Sequence, residues 1–226
     1  QTEVDAFMRG QPVANSNRIR SVLRGGGNRG LQPSNKGLTL SGMSAGEGYS
    51  APVGAWFGYS YTGAENDFST TAFKSKRHSV LFGLDTLPAD DLLLGVSVGL
   101  ERSELDTRFN GGEQSITAFT LAPYLGLILN DWLTIDASAG ISDVKNDQFR
   151  TSGAARISSD VDSYRLFANV NLAASQSFDA LRVTGLAGLL WATQRDDEFV
   201  ESNGRVTQKA RSNVGRSLLG GEIAYS

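Results

Sequence analysis

Leu92-Leu93-Leu94-Gly95-Val96-Ser97-Val98-Gly99-Leu100-Glu101 is the stretch that decides the fold. Leu92, Leu94, Val96, Val98 and Leu100 fall on one side of an extended chain, and Leu93, Gly95, Ser97, Gly99 and Glu101 on the other. Side chains of a strand alternate between its faces, so this period of two marks a strand with one apolar and one small, polar face. The same alternation recurs on either side. Upstream, Val53, Ala55, Phe57, Tyr59 and Tyr61 oppose Gly54, Trp56, Gly58, Ser60 and Thr62, and Val80, Phe82 and Leu84 oppose Ser79, Gly83 and Asp85. Downstream, Phe119, Leu121, Pro123, Leu125 and Leu127 oppose Ala118, Thr120, Ala122, Tyr124 and Gly126. Leu133, Ile135, Ala137, Ala139 and Ile141 then oppose Thr134, Asp136, Ser138, Gly140 and Ser142. Tyr164, Leu166, Ala168, Val170 and Leu172 oppose Arg165, Phe167, Asn169 and Asn171. A seventh run sets Leu181, Val183, Ala187 and Leu189 against Arg182 and Thr184, and an eighth sets Leu219, Ile223 and Tyr225 against Arg216 and Glu222.

Each run is about 9 to 12 residues, against about 5 or 6 in soluble sheets and close to what a tilted strand needs to cross a bilayer. The connections sort by length. Leu87 to Asp91, Asn130-Asp131 and Ala173 to Ala180 are short. Gly63 to Lys74, Arg102 to Gln114, Asp143 to Val161 and Ala192 to Ser212 are long, polar and expected to be solvated. Outer-membrane barrels have short turns at the periplasmic end and longer segments outside. Tyr61, Trp132, Tyr164 and Tyr225 stand at strand ends, where interfacial aromatics belong.

The faces suggest an inverted protein. Phe57, Tyr59, Leu94, Val96, Val98, Phe119, Leu121, Ile135, Leu166 and Val170 are candidates for contact with lipid. Asp85, Glu101, Asp136, Arg165, Arg182, Arg216 and Glu222 fall on the mixed face, the candidate for a wet lumen. Composition agrees. The 226 residues carry a net charge of -3 and 26 glycines, which suit bends and crowded barrel walls. Mean hydropathy is -0.21 and no long apolar run exists, which excludes membrane-spanning helices but not a barrel that hides its apolar residues at every second position. There is no cysteine and one histidine, so disulfides, thiolate sites and multi-histidine zinc sites are excluded. The near-neutral charge offers nucleic acid no electrostatic footprint.

The first fifty residues differ. Ser16 is placed to cap a short helix over 17–24, with Ile19, Val22 and Leu23 on one face and Arg18, Arg20 and Arg24 around the rest. Gly25-Gly26-Gly27 ends it, and the segment to residue 52 reads as a flexible linker. Two domains follow from this: a helix-and-linker segment at 1–52 and a β-domain at 53–226. The chain starts at Gln1 with no leader, and its last residues still read as strand, so a piece of a longer protein is expected.

The residues now assembled resemble the β-domain of the autotransporter family of type V secretion. The resemblance rests on Val-Gly-Ala-Trp-Phe-Gly-Tyr-Ser-Tyr-Thr at 53–62, Glu-Asn-Asp-Phe at 65–68 and Leu-Phe-Gly-Leu-Asp at 81–85. It continues through residues 91–106 and 131–142, and the segment 17–27 resembles the helix that precedes the first strand in that family. The resemblance implies an all-β, antiparallel, up-and-down transmembrane barrel of twelve strands in the bacterial outer membrane, with a short N-terminal helix in the pore. It implies a translocator and anchor that carries an upstream passenger to the cell surface. The partners would be outer-membrane lipid, the passenger, the barrel-assembly machinery and periplasmic chaperones. About eight strands are expected here, and four more at the same repeat would need about 90 residues. Two other readings stand beside it: a small self-contained outer-membrane barrel or porin, and a soluble β-rich adhesion module.

No catalytic residue, cofactor or metal is assigned. His78 lies beside Lys74, Lys76 and Arg77 and reads as a loop or interfacial histidine rather than a base. Asn15-Ser16-Asn17 could suggest backbone cleavage after an asparagine within the barrel, but helix capping explains it more simply. Asp143 to Asp147 and Asp196-Asp197-Glu198 lack the spacing of a calcium loop. Gly25 to Gly30 follows a helix and not a strand, which argues against a phosphate cradle.

Overall fold

The computed structural model describes residues 11–23, 30–34, 37–43, 53–68, 72–108, 110–153 and 155–225. A helix, α1 (Gln11–Leu23), precedes the strands. In chain order these are β1 (Gly30–Ser34), β2 (Gly37–Met43), β3 (Gly54–Asn66), β4 (Phe73–Ala89), β5 (Leu92–Thr107) and β6 (Gly112–Asn130). They continue as β7 (Leu133–Ser152), β8 (Ala155–Phe178), β9 (Leu181–Asp196), β10 (Phe199–Val200), β11 (Val206–Thr207) and β12 (Ala210–Tyr225). Among the described residues, ten strands form one sheet in chain order, β1 to β9 and then β12, while β10 and β11 pair separately. Every pairing is antiparallel. The sheet is up-and-down, with β1 and β12 as its edges.

The alternation read from sequence is the alternation of burial. Leu93, Ser97 and Gly99 are buried while Leu94, Val96 and Leu100 are exposed, and Ala118, Thr120, Ala122, Tyr124 and Gly126 are all buried opposite exposed Phe119, Leu121, Pro123 and Leu125. Val80, Phe82, Leu84, Val170 and Leu172 join the exposed face. The buried face has clusters of its own, with Ile19, Trp56, Leu81, Leu93 and Tyr124 in one and Ala122, Phe167 and Ala192 in another. Three rings on this face lie over glycines: Trp56 over Gly83, Tyr124 over Gly95 and Phe167 over Gly140. Each is a direct cross-strand partner of its glycine. A Cβ on any of these glycines would stand inside the ring, so part of the glycine excess is a set of seats for flat side chains.

Several sequence expectations are corrected. The helix starts at Gln11, not at residue 17. Pro12 suits a first turn, where no N–H is needed. Ser16 is not its cap but a buried mid-helix residue whose hydroxyl turns to the sheet. Arg24 and the glycines at 25–27 lie outside the described residues. Within the stretch read as a linker, β1 and β2 add two strands to the eight expected.

The long connections are mostly strand as well. β7 and β8 run 20 and 24 residues, far past the bilayer-crossing length, and a turn around Gly153 joins them. Asp143, Lys145, Asn146 and Asp147 therefore belong to β7, and the segments at 63–66, 102–107 and 155–161 are also strand. Beyond the apolar layer the outward positions turn polar, as at Asp143, Lys145, Asp160 and Asp162, while Ile116, Val144 and Val161 on the inner side stay buried. The outward apolar period ends there, but the backbone ladder does not. The asymmetry between the two ends survives in another form: at one end, turns at Asp90-Asp91, Asp131-Trp132 and Asp179-Ala180, and at the other, projecting hairpins.

Candidate functional site

The buried face holds α1, which packs on β5, β6 and β7. An isolated helix of 13 residues is marginal in water, so its surroundings must hold it. Three groups of contacts do so.

The first is ionic. Arg18 makes a two-pronged bond to Asp85 of β4, with Nε donating to Oδ2 at 2.7 Å and Nη2 to Oδ1 at 2.9 Å. The carboxylate is 3% exposed and the guanidinium 11%. Tyr124 of β6 donates its O–H to the same Oδ2 at 2.8 Å, and Trp56 of β3 donates its Nε1–H to the Tyr124 oxygen at 2.7 Å. Side chains of three strands thus form one run of bonds, from Trp56 through Tyr124 to the Asp85 carboxylate that receives the helix's guanidinium. Forked Arg–carboxylate geometry fixes direction as well as distance.

The second is polar. Ser16 donates its hydroxyl to Asp136 of β7. Asn171 of β8 donates to the Ser16 oxygen at 2.7 Å and to Asp136 at 2.6 Å, and Asn169 reaches the Pro12 carbonyl at 3.5 Å. The third is steric. Ile19 is fully buried, and a Cβ at Gly126 would collide with its side chain and with Leu23. Ala14, Val22 and Leu23 pack around the same cluster. Arg20 turns back to its own helix, bonding the Ser16 carbonyl and Asn17.

The remaining charges noted from sequence spread along the same side of the sheet. Arg165 is buried and donates to Gln194 through Nε and Nη2 at 3.1 and 2.9 Å, and Gln194 in turn holds Asp196. Glu101 faces Arg77 at 3.7 Å. Arg216 is half-buried, while Arg182 and Glu222 are exposed near the short-turn end of β9 and on the edge strand β12. Of the residues marked as facing lipid, Phe57, Leu94, Val96, Phe119, Leu121 and Val170 are exposed, and Tyr59, Val98, Ile135 and Leu166 are partly covered.

Sequence reading missed Trp56, Tyr124, Asn169, Asn171 and Gly126 as parts of the seat. A signal was present: Trp56 and Tyr124 are large aromatics on the face otherwise given to small and polar side chains.

At the projecting end, Arg150 of β7 donates from both terminal nitrogens to Glu201 at 2.7 and 2.9 Å. Bonding to Arg150 holds the Glu201 carboxyl below the usual carboxylate range, and the same bond raises Arg150. Glu201 belongs to the excursion between β9 and β12, which also ties to β8 through the Ser202 amide and the Ser158 carbonyl at 2.9 Å.

Residues 55–226 match the family described as autotransporter beta-domain. The structure is similar to the translocator domain of autotransporter NalP from Neisseria meningitidis, with a TM-score of 0.68 at 15% identity over 98% of this chain and 69% of that one. Weaker similarity extends to the siderophore receptor PiuA from Acinetobacter baumannii, with a TM-score of 0.43 at 12% identity over 76% of this chain and 34% of that one. It also extends to the outer membrane transporter YddB from Escherichia coli, with a TM-score of 0.38 at 11% identity over 83% of this chain and 31% of that one. No curated protein sequence matches the chain.

Proposed function

The chain belongs to the autotransporter β-domain family, and from that premise we propose that its sheet is the wall of a secretion pore with α1 seated inside. The family is a transport family, and membership places the chain in the bacterial outer membrane as a translocator and anchor. The finer assignment is ours: the exposed apolar face meets acyl chains, the polar face lines the lumen, and α1 occupies it as the tail of an exported N-terminal passenger. Barrel-assembly machinery and periplasmic chaperones are the partners such a wall requires before it reaches lipid.

One observation carries this reading. The face with buried Asp85, Asp136 and Arg165 is the packed one, and the face with Phe82, Leu94, Val96, Leu100, Phe119 and Leu121, each 41–57% exposed, is bare. A water-soluble adhesion module would place those faces the other way round. A self-contained eight-stranded barrel does not fit a sheet that already has ten strands.

Nitroxide labels test the assignment in proteoliposomes. Labels at Val96 and Val98 are expected to relax with dissolved oxygen, as hydrocarbon sites do. A label at exposed Lys209, beyond the apolar layer, is expected to relax with a water-soluble nickel complex. Aqueous signals at both Val96 and Val98 would overturn it.

A further inference from the structure

We propose that the outward face of β3, β4 and β5, just above the apolar layer, binds the phosphate of an anionic lipid in the outer leaflet. The proposal rests on the reading above, in which this face meets lipid and the projecting strand ends lie outside.

The register builds the surface. Val80 and Leu100 are cross-strand partners in the last apolar row. The next outward-facing row toward the projecting end is Tyr61, His78, Arg102 and Thr117, each the direct partner of the next. Lys76 follows one step further on, opposite Gly63 and Glu104. Lys76, His78 and Arg102 are all exposed. Two cations, Lys76 and Arg102, with Glu104 between them, and the ring donor of His78 therefore stand on two neighbouring strands directly above an apolar wall, where a lipid's phosphate lies when its acyl chains cover Val80, Phe82 and Leu100.

His78 is held for the task. Tyr59 Oη lies 2.8 Å from its Nδ1, and the Tyr61 ring flanks it with centroids 4.9 Å apart. With the tyrosine hydroxyl donating to Nδ1, the neutral ring carries its proton on Nε2 and has a donor left for an anion. Arg102 bonds Glu104 at 3.2 Å yet its side chain is 66% exposed, so the guanidinium keeps donors directed to solvent. Lys74, further up, is matched by Glu65 and Asp106 in register and is not part of the surface. On β7 and β8 the outward positions at the same end carry Asp143, Asp147, Asp160 and Asp162, with Lys145 among them, while Arg195 and Arg211 form a second basic pair on β9 and β12.

The test uses the folded chain in detergent, titrated with diphosphorylated lipid A and followed by native mass spectrometry. The triple variant K76Q/H78Q/R102Q is expected to bind about tenfold more weakly, with no loss for lipid A stripped of its phosphates. E104Q, which frees Arg102, is expected to bind more tightly, and Y59F, which releases His78, several-fold more weakly. Heat-modifiable gel mobility checks that each variant folds. Equal binding of phosphorylated lipid by wild type and triple variant overturns the proposal. So does saturation by inorganic phosphate alone, which would mark a site for soluble anions. Failure of the wild-type chain to enter phosphatidylcholine bilayers would overturn the membrane reading with it. Insertion without preference for the phosphorylated lipid would overturn this proposal alone.

Discussion

Arg18 and Asp85 show how one residue pair can position a helix. Both are largely desolvated, so removing either partner strands the other charge in a site built for two. D85N or R18Q is expected to cost about 3 kcal/mol, since breaking a buried pair leaves an uncompensated ion. The double variant is expected to cost less than the sum. Urea unfolding in lipid vesicles measures the cycle, and strict additivity would show that the two side chains do not couple. Gly126 acts by having no side chain. G126A drives a methyl into Ile19 and Leu23 and is expected to cost about 1–3 kcal/mol. In an I19A background the methyl has room, so the cost falls. An unchanged penalty there would separate Gly126 from the seat of the helix.

β5 shows what a strand must be in this environment. Its outward residues from Leu92 to Leu100 alternate with inward Leu93, Gly95, Ser97 and Gly99, and Val96 sits midway. V96R is expected to destabilise the folded state by about 2–4 kcal/mol in bilayers, as for charges at mid-membrane on other barrels. The same change at exposed Ser152, at the projecting end of β7, is expected to be nearly neutral. Equal costs at both depths would remove the membrane from the explanation. α1 shows the opposite dependence. A peptide of residues 11–23 is expected to be mostly unstructured in buffer by circular dichroism, because the contacts that hold it belong to β4, β6, β7 and β8.

The excursion between β9 and β12 ties one end of the molecule together through Arg150 and Glu201. Glu201 is held below its ordinary value, so the folded state gains from its ionisation. That gain is fully present above the unfolded carboxylate value of about 4.3 and is lost as pH falls through the lower folded value. Hydrogen exchange at the Ser202 amide is expected to quicken only below that point, and E201Q to exchange quickly throughout. A step near neutral pH in wild type would rule out Glu201 as its source.

Period-two patterning was sufficient for the strand class and for the two sides of the apolar stretches of β3 to β8, because apolar demand on one face alternates with the pleat itself; on β9 the run from Leu181 to Trp191 left the assignment ambiguous. The small and polar side chains that alternate with the apolar ones were legible for the same reason. Where strands end was not, since beyond the apolar layer the outward residues turn polar and the apolar ones move inward, as at Val144 and Val161, so the period breaks while the backbone ladder runs on. Nor was the seat of α1. Ser16 looked like a cap until the partners on β7 and β8, more than a hundred residues away, gave its hydroxyl a better acceptor. Such pairings depend on register summed across several strands, and only the folded sheet sets that sum.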